Sequence, residues 1–326
     1  CAPCTHTCPA GVDVPGYIQL VEEGRKLDAV KLVRHKNPFC YTCGMICDHP
    51  CEAVCRRKVV DDPINIRGIK KFASTVEHSD YVPKKAEATG KNIAIIGGGP
   101  AGLTAAYYLA LMGHSPVVFE VRAQLGGMLR YGIPAYRLPR KGLDEEIKFI
   151  LDQGVEARCD MAIDADALAK IMDEYDATYL AIGDHGSVKL GINGEDAPEV
   201  LSAVQILRTL GDAVDAPDDI VAEQSLEDLK KQFVGKKVVV VGGGNVAMDC
   251  ARSARYLGAD VTVAYRRRLA DMPAHEFEIL SVMQESINFE ELMAPVEILT
   301  KDGHVAALRC LPQIVTDYRG DRANIR

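Results

Sequence analysis

Two stretches of this chain can be laid on one another without a gap. IAIIGGGPAGLTAAYYLALMGHSPVVFEVR begins at Ile93, VVVVGGGNVAMDCARSARYLGADVTVAYRR begins at Val238, and Gly97 falls on Gly242. Each opens with an apolar run rich in β-formers, turns on glycines, continues in a helical pattern and closes on a second apolar run. Strand, tight turn, helix, strand is a βαβ unit, the crossover that a pair of parallel strands requires. A chain that carries the unit twice is committed to an α/β architecture built on parallel sheets.

The glycines assign a ligand class. In the first unit Gly97, Gly99 and Gly102 form G-x-G-x-x-G around Pro100 and Ala101. The first glycine permits the tight turn, the second lets backbone approach a pyrophosphate, and the third lets helix pack on strand. Glu120 closes the second strand, where a carboxylate accepts hydrogen bonds from ribose hydroxyls. The second unit has Gly242, Gly244 and Ala247, and Tyr265 stands where Glu120 stood, followed by Arg266, Arg267 and Arg268. A missing acid beside guanidinium groups suits a 2′-phosphate, while a solvated basic turn is the blander reading of the arginines. The first site is expected to take FAD and the second NADP (or NAD). Two such sites imply hydride passing between nicotinamide and flavin.

The chain has 11 cysteines, eight of them in the first 55 residues: Cys1, Cys4, Cys8, Cys40, Cys43, Cys47, Cys51 and Cys55. A secreted disulfide scaffold is short and cysteine-dense throughout; here a dense patch leads into an ordinary α/β sequence, which favours metal ligation in a reducing compartment. In CGMICDHPCEAVC the cysteines recur at every fourth position. On one continuous helix Cys43 and Cys55 would lie about 18 Å apart, too far for a single cubane, and Pro50 interrupts the pattern. Eight cysteines suffice for two clusters of four. Zinc is the competitor, but zinc carries no electrons, and iron–sulfur chemistry completes a path from the flavin.

The net charge of −8 and pI near 5.6 predict neither a nucleic-acid partner nor an anionic-membrane surface, and no apolar run approaches a membrane span. A cytoplasmic location without membrane insertion is the expectation. No C-x-x-C lies in residues 92–326, which argues against a dithiol mechanism. His185, His275 and Glu276 are acid–base candidates by type alone, and no catalytic residue is assigned. Cys159, Cys250 and Cys310 read as core. Three regions are expected, residues 1–86, 87–190 and 191–326, with 82–91 as a linker and the acidic helix-prone stretch 211–237 solvated.

CTHTCPAGVDVPGYI, CGMICDHPCEAVC and INIRGIKKFA resemble the N-terminal iron–sulfur domain of the glutamate synthase small subunit and of dihydropyrimidine dehydrogenase. IAIIGGGPAGLTAAYYL, GGMLRYGIPAYRLPRKGLDEEI, the second βαβ unit and MPAHEFEI are similar to the FAD and NADPH domains of the same family, and related flavoprotein subunits serve electron-bifurcating complexes. The resemblance implies a small helical iron–sulfur domain followed by two Rossmann-like dinucleotide-binding domains. It implies two 4Fe–4S clusters with interleaved ligands: Cys4 and Cys55 with Cys1 for one, and Cys8, Cys47 and Cys51 for the other. The family often completes the second cluster with Gln or Glu after I-N-I. Lys70 stands there, and an ammonium has no lone pair, so Cys43, or less favourably Cys40, is expected to replace it, unless the cluster has an unusual composition. FAD contacts carried over are Gly97, Gly99, Pro100, Ala101, Gly102, Glu120, Gly127, Met128 and Leu129. NADPH contacts are Gly243, Gly244, Asn245, Val246, Arg266 and Arg267, with Asp249 supporting the turn and Arg252 on the helix surface. YLAIGDHG (179–186) matches a second flavin-proximal motif that normally ends A-T-G, with Ile182 in place of Thr. The family's C-terminal return segment of the FAD domain is absent from this sequence.

The resemblance thus implies an NAD(P)H-dependent electron-transfer subunit, passing electrons through FAD and clusters to or from a partner redox subunit of a glutamate synthase-type or electron-bifurcating complex. The alternative from another class is a nucleotide-binding assembly module whose clusters or zinc are structural.

Overall fold

The computed structural model of the chain describes residues 2–75, 81–215, 220–319 and 322–325. Its first part is helical: α1 (Pro3–Thr7), α2 (Val14–Glu22), α3 (Lys26–Arg34), α4 (Cys40–Ile46), α5 (Pro50–Ala53) and α6 (Ile66–Ala73). Side-chain caps mark the starts of α2 and α6, since Asp13 accepts from the Gly16 amide and Asn65 from the Gly68 amide. The cysteine-rich segment is broken as Pro50 requires: α4 stops at Ile46, Cys47 is extended, His49 takes a left-handed φ of 39°, and Pro50 opens α5. The helices enclose a core that includes Val14, Tyr17, Val30, Cys40, Cys51 and Ile66. Tyr17 Oη donates to the Ile66 carbonyl at 3.0 Å, which satisfies a hydroxyl with no access to water.

The next elements are β1 (Asn92–Ile96), α7 (Pro100–Leu111), β2 (Ser115–Phe119), α8 (Met128–Tyr131), α9 (Arg140–Leu151), β3 (Glu156–Arg158), α10 (Ala165–Glu174) and β4 (Ala177–Leu180). The strands form one parallel sheet in the order β3-β2-β1-β4, with Ile95 paired to Val118 on one side and Tyr179 on the other. Residues 82–91 have no regular structure, yet they are strapped down, because the Ala86 and Thr89 amides donate to the Leu111 and Gly113 carbonyls at 2.8 and 2.9 Å. This sheet and the cysteine-bearing helices belong to one compact unit, up to Arg130 and from Ala135 to Asp184.

A second compact unit takes Tyr131–Pro134 and the chain from His185. It contains α11 (Ala203–Asp215), α12 (Ile220–Phe233), β5 (Lys237–Val241), α13 (Asn245–Tyr256), β6 (Asp260–Tyr265), α14 (Glu276–Gln284) and β7 (Asn288–Glu291), whose strands pair in parallel in the order β5-β6-β7. Two antiparallel pairs follow, β8 (Met293–Lys301) with β9 (His304–Pro312) and β10 (Val315–Arg319) with β11 (Arg322–Ile325). The stretch 211–237 is not simply solvated. Leu229 and Phe233 of α12 join Met248, Val261 and Val263 in the core of this unit, and only the charged side of the helix faces water. Among the described residues no helix is long and apolar enough to cross a membrane.

Helices α4 and α6 touch at Gly44, where a Cβ would stand 2.7 Å from the Lys71 Cα. The Gly44→Ala substitution is expected to push the two helices apart at a cost of about 1–3 kcal/mol, checked by thermal unfolding and by the iron content of the purified protein.

Candidate cofactor sites

The first glycine turn connects β1 to α7. Gly97 has φ of 112°, and a Cβ there would stand 2.3 Å from the Ala181 carbonyl oxygen, while a Cβ at Gly102 would stand 2.0 Å from the Gly97 carbonyl oxygen. Both positions are therefore closed to larger residues. Gly99 differs: its Cβ would meet nothing nearer than the Gly127 Cα at 3.7 Å, so the space before α7 is open. Pro100 and Ala101 are exposed at the helix start, and Gly99 and Gly127 are half-buried around it. Met128 is half-buried, whereas the Leu129 side chain lies in the interior. Glu120 sits at the end of β2 with its carboxylate bound to the turn, Oε2 accepting from the Gly98 amide at 2.7 Å and Oε1 from the Arg122 amide at 2.9 Å. The 179–186 motif reaches this turn through the Ala181 backbone, and the Ile182 side chain is exposed.

The second turn repeats the arrangement between β5 and α13. Gly242 has φ of 139°, and a Cβ on Gly244 would meet nothing within 4 Å. Gly243 is buried and its carbonyl accepts from the Ala274 amide, Val246 is exposed, and Asn245 Oδ1 accepts from the His275 amide at 3.0 Å, tying the turn to the start of α14. The three arginines after β6 separate into two kinds. Arg268 is held by Asp271 through two nitrogens, each at 2.8 Å. Arg266 and Arg267 make no side-chain ion pair among the described residues, and Arg266 is exposed. Arg252 is not a plain surface residue: it pairs with Glu278 of α14 and with Glu285 just past its end, bracing the helix behind the turn.

The described cysteines are all free thiols. Among the described residues no three Cys, His, Asp or Glu side chains converge as ligands of a single ion. The sulfurs are instead distributed over two places. Cys4 and Cys55 line one cleft of about 430 Å³ beside Val14, Ile18 and Ile66. Cys1, expected there, lies outside the described residues. Around the second place are Cys8, Cys43, Cys47 and Cys51, each in electrostatic reach of the buried Lys70. Cys43 hydrogen-bonds to Cys47, and the Asn37 amide donates to the Cys43 sulfur at 3.1 Å. The bond with Cys43, the His49 backbone N–H and the Lys70 charge hold the Cys47 thiol below the ordinary thiol range. Burial opposes the Lys70 charge, but the sulfurs of Cys43, Cys40, Cys47 and Cys8 outweigh it and hold its pKa above the usual lysine value. Cys40 has no solvent access, and burial pushes its thiol up to about 12, in keeping with a core residue. Soft thiol donors in sets of this size suit iron–sulfur clusters, and the two open helix starts suit dinucleotide phosphates.

The Gly97→Ala substitution is expected to cost at least about 2 kcal/mol, since it combines a left-handed backbone with a collision on Ala181. Thermal unfolding reads the loss of stability, and the flavin-to-protein absorbance ratio reads the loss of the turn.

Residues 91–309 match the family described as pyridine nucleotide-disulphide oxidoreductase, and residues 1–81 match dihydropyrimidine dehydrogenase domain II, 4Fe-4S cluster. The chain is 36% identical to the beta subunit of NADP(+)-dependent formate dehydrogenase of Moorella thermoacetica, over 95% of this chain and 46% of that protein. It is 34% identical to the small chain of NADPH glutamate synthase of Halomonas elongata, over 92% of this chain and 64% of that protein. It thus spans about half to two thirds of the length of these relatives. The solved structure of Mycobacterium tuberculosis FprA in complex with NADPH has a similar fold, with TM-score 0.60 and 19% identity over 73% of this chain and 67% of that one. The chain belongs to the pyridine nucleotide-disulphide oxidoreductase family, and a match to a 4Fe–4S domain precedes that region in its sequence.

Proposed function

We propose that this chain is the electron-transfer part of an NAD(P)H-dependent oxidoreductase, made of a cluster region (1–86), a flavin region (87–190) and a nicotinamide region (191–326). FAD bound in it would take a hydride from the reduced nicotinamide, a proton would leave to solvent, and the two electrons would go one at a time to 4Fe–4S clusters. The protein's own groups bind and orient. At the glycine turn and the first turn of α7, the backbone N–H groups of Gly99, Ala101 and Gly102 would meet the FAD pyrophosphate, Gly97 and Pro100 would shape the turn, and Glu120, which accepts from the Gly98 amide, would turn toward the ribose hydroxyls. Gly127 stands against Gly99 at the same turn, and Met128 and Leu129 beside it would complete the FAD contacts. Gly243, Gly244, Asn245 and Val246 do the corresponding task for the nicotinamide dinucleotide.

The observation that carries the reading is one chain holding two open dinucleotide turns and a thiol set that a cluster family matches. Five cysteines stand around Lys70, and with the fully buried Cys40 kept as a core residue a second cluster would take Cys8, Cys43, Cys47 and Cys51, with Cys43 in the role that Lys70 cannot fill. The first would take Cys4 and Cys55, with Cys1 as the assigned third ligand. The relatives named as subunits support a partner redox subunit as the source or destination of electrons, and the proposal takes that partner to be of glutamate synthase type or part of a bifurcating complex. Free thiols support a reducing compartment such as the cytoplasm.

An anaerobic titration with NADPH, and separately with NADH, tests this, with flavin absorbance and cluster EPR followed together. Bleaching of the flavin with growth of a reduced-cluster signal is expected; silence of both despite bound FAD and iron would leave a structural module. Arg268 is occupied by Asp271, so preference for the 2′-phosphate rests on Arg266 and Arg267. Replacing both with Ala is expected to raise the NADPH KM about tenfold or more while sparing NADH, since a hydrogen bond to a charged group contributes about 1.5–3 kcal/mol. An unchanged NADPH-to-NADH ratio would sink the assignment. Cys43→Ala is expected to lose on the order of half the iron, whereas Lys70→Met keeps the wild-type iron-to-protein ratio by colorimetric assay.

A further inference from the structure

Helix α9 presents two opposite faces to two different neighbours. Arg140, Asp144 and Ile147, spaced i, i+4, i+7, face the loop Gly126–Arg130. Arg140 Nη2 donates to the Arg130 carbonyl at 2.5 Å, Asp144 pairs with the Arg130 guanidinium, and Ile147 Cδ1 lies 3.5 Å from the position of a Gly126 Cβ. Gly142, Glu146 and Phe149 have the same spacing two positions on, a rotation of about 200°. That second face meets the cysteine-bearing helices. A Cβ at Gly142 would stand 2.1 Å from the Tyr41 ring, and the Arg34 guanidinium carbon lies 3.6 Å from the centre of the Phe149 ring.

Glu146 is the centre of this contact. Its two oxygens accept from the Tyr41 amide at 2.5 Å and the Thr42 amide at 2.9 Å. These are first-turn N–H groups of α4, which have no partner within their own helix. The residue ahead of α4, Phe39, supplies no side-chain cap. A fully buried carboxylate from a segment about a hundred residues away caps the helix instead, and its charge suits the positive end of the helix dipole. The glycine at 142 is disfavoured inside a helix by about 1 kcal/mol relative to Ala, and the Tyr41 ring seated on it accounts for its presence. Tyr108 Oη of α7 adds a bond at 3.1 Å to the Arg34 carbonyl. The same α4 carries Cys43 and leads into Cys47.

We propose that Glu146, with Gly142 and Phe149, is a positioning residue that seats helix α4 on the flavin-binding segment and so sets the rate at which electrons pass between the flavin and the cluster held by Cys43 and Cys47. The rate rests on the function proposed above; the seating of α4 does not.

The experiment uses the full chain with its flavin and iron, at pH 8, where the Glu146 carboxyl, pushed up to about 7 by burial, is ionised. Wild type, Glu146→Leu and Gly142→Ala are compared by amide hydrogen exchange at Tyr41 and Thr42. NADPH-driven reduction is followed by stopped-flow absorbance for the flavin and rapid-freeze EPR for the clusters. Both variants are expected to exchange the two amides at least tenfold faster, to keep the wild-type rate of flavin reduction, and to reduce the clusters at least tenfold more slowly. Adding Tyr41→Ala to Gly142→Ala removes the ring that the new methyl strikes and is expected to recover the cluster rate. Wild-type exchange at both amides in Glu146→Leu overturns the proposal, and so does wild-type cluster reduction in a variant whose amides exchange faster. If the wild type bleaches its flavin while its clusters stay silent, the electron-transfer function falls, and the exchange measurement alone decides whether Glu146 seats α4.

Discussion

A parallel strand that ends in a glycine turn and hands over to a helix leaves several N–H groups aimed at one point with no partner. That unmet hydrogen-bonding capacity is what the rest of this molecule is arranged around. It occurs twice, at Gly97–Gly102 and at Gly242–Ala247, and each time the sheet supplies the rigid edge that holds the turn. At the first turn the constraint is tight: Gly97 is pinned under the Ala181 carbonyl and Gly102 under Gly97 itself. Glu120 then reinforces the loop from the next strand by accepting from Gly98. The phosphate end of a dinucleotide is the natural occupant of such a place, because it supplies the acceptors and the negative charge that the helix start lacks.

The cysteine-bearing helices pose a different problem of charge. Lys70 is buried, and the neighbours that favour its charge are the sulfurs of Cys43, Cys40, Cys47 and Cys8. An ammonium there is uncomfortable next to neutral thiols and comfortable next to thiolates. A cluster bound by thiolates would remove that conflict, and the lysine would then act by its charge and not as a ligand.

Helix α9 joins these two problems. Its one face steadies the Gly126–Arg130 loop, and its other face completes the start of α4 through Glu146. Burying a carboxylate is costly unless it is well bonded. Two amides and the nearby Arg34 charge offset that cost here, which ties the seating of α4 to one specific helix.

The two βαβ units and the break at Pro50 were legible in the sequence, because each follows from local pattern: apolar periodicity, glycine in a turn, a ring that forbids a helix bond. The β8–β9 hairpin has a local sign as well, since Asp302 and Gly303 both have positive φ and an Asp-Gly pair between two strands favours such a turn. Other features were settled only in three dimensions. Which arginine remains open after β6 depends on where Asp271 falls, and Arg268 is the one it takes. That Leu229 and Phe233 leave an acidic stretch for the core depends on the sheet beneath them. The division of the cysteines between a cleft and the surroundings of Lys70, and the capping of α4 by Glu146, join residues far apart in the chain. Local pattern carries no information about such distances, whereas close packing does, because only one arrangement of the helices both buries the apolar faces and satisfies the polar groups buried with them.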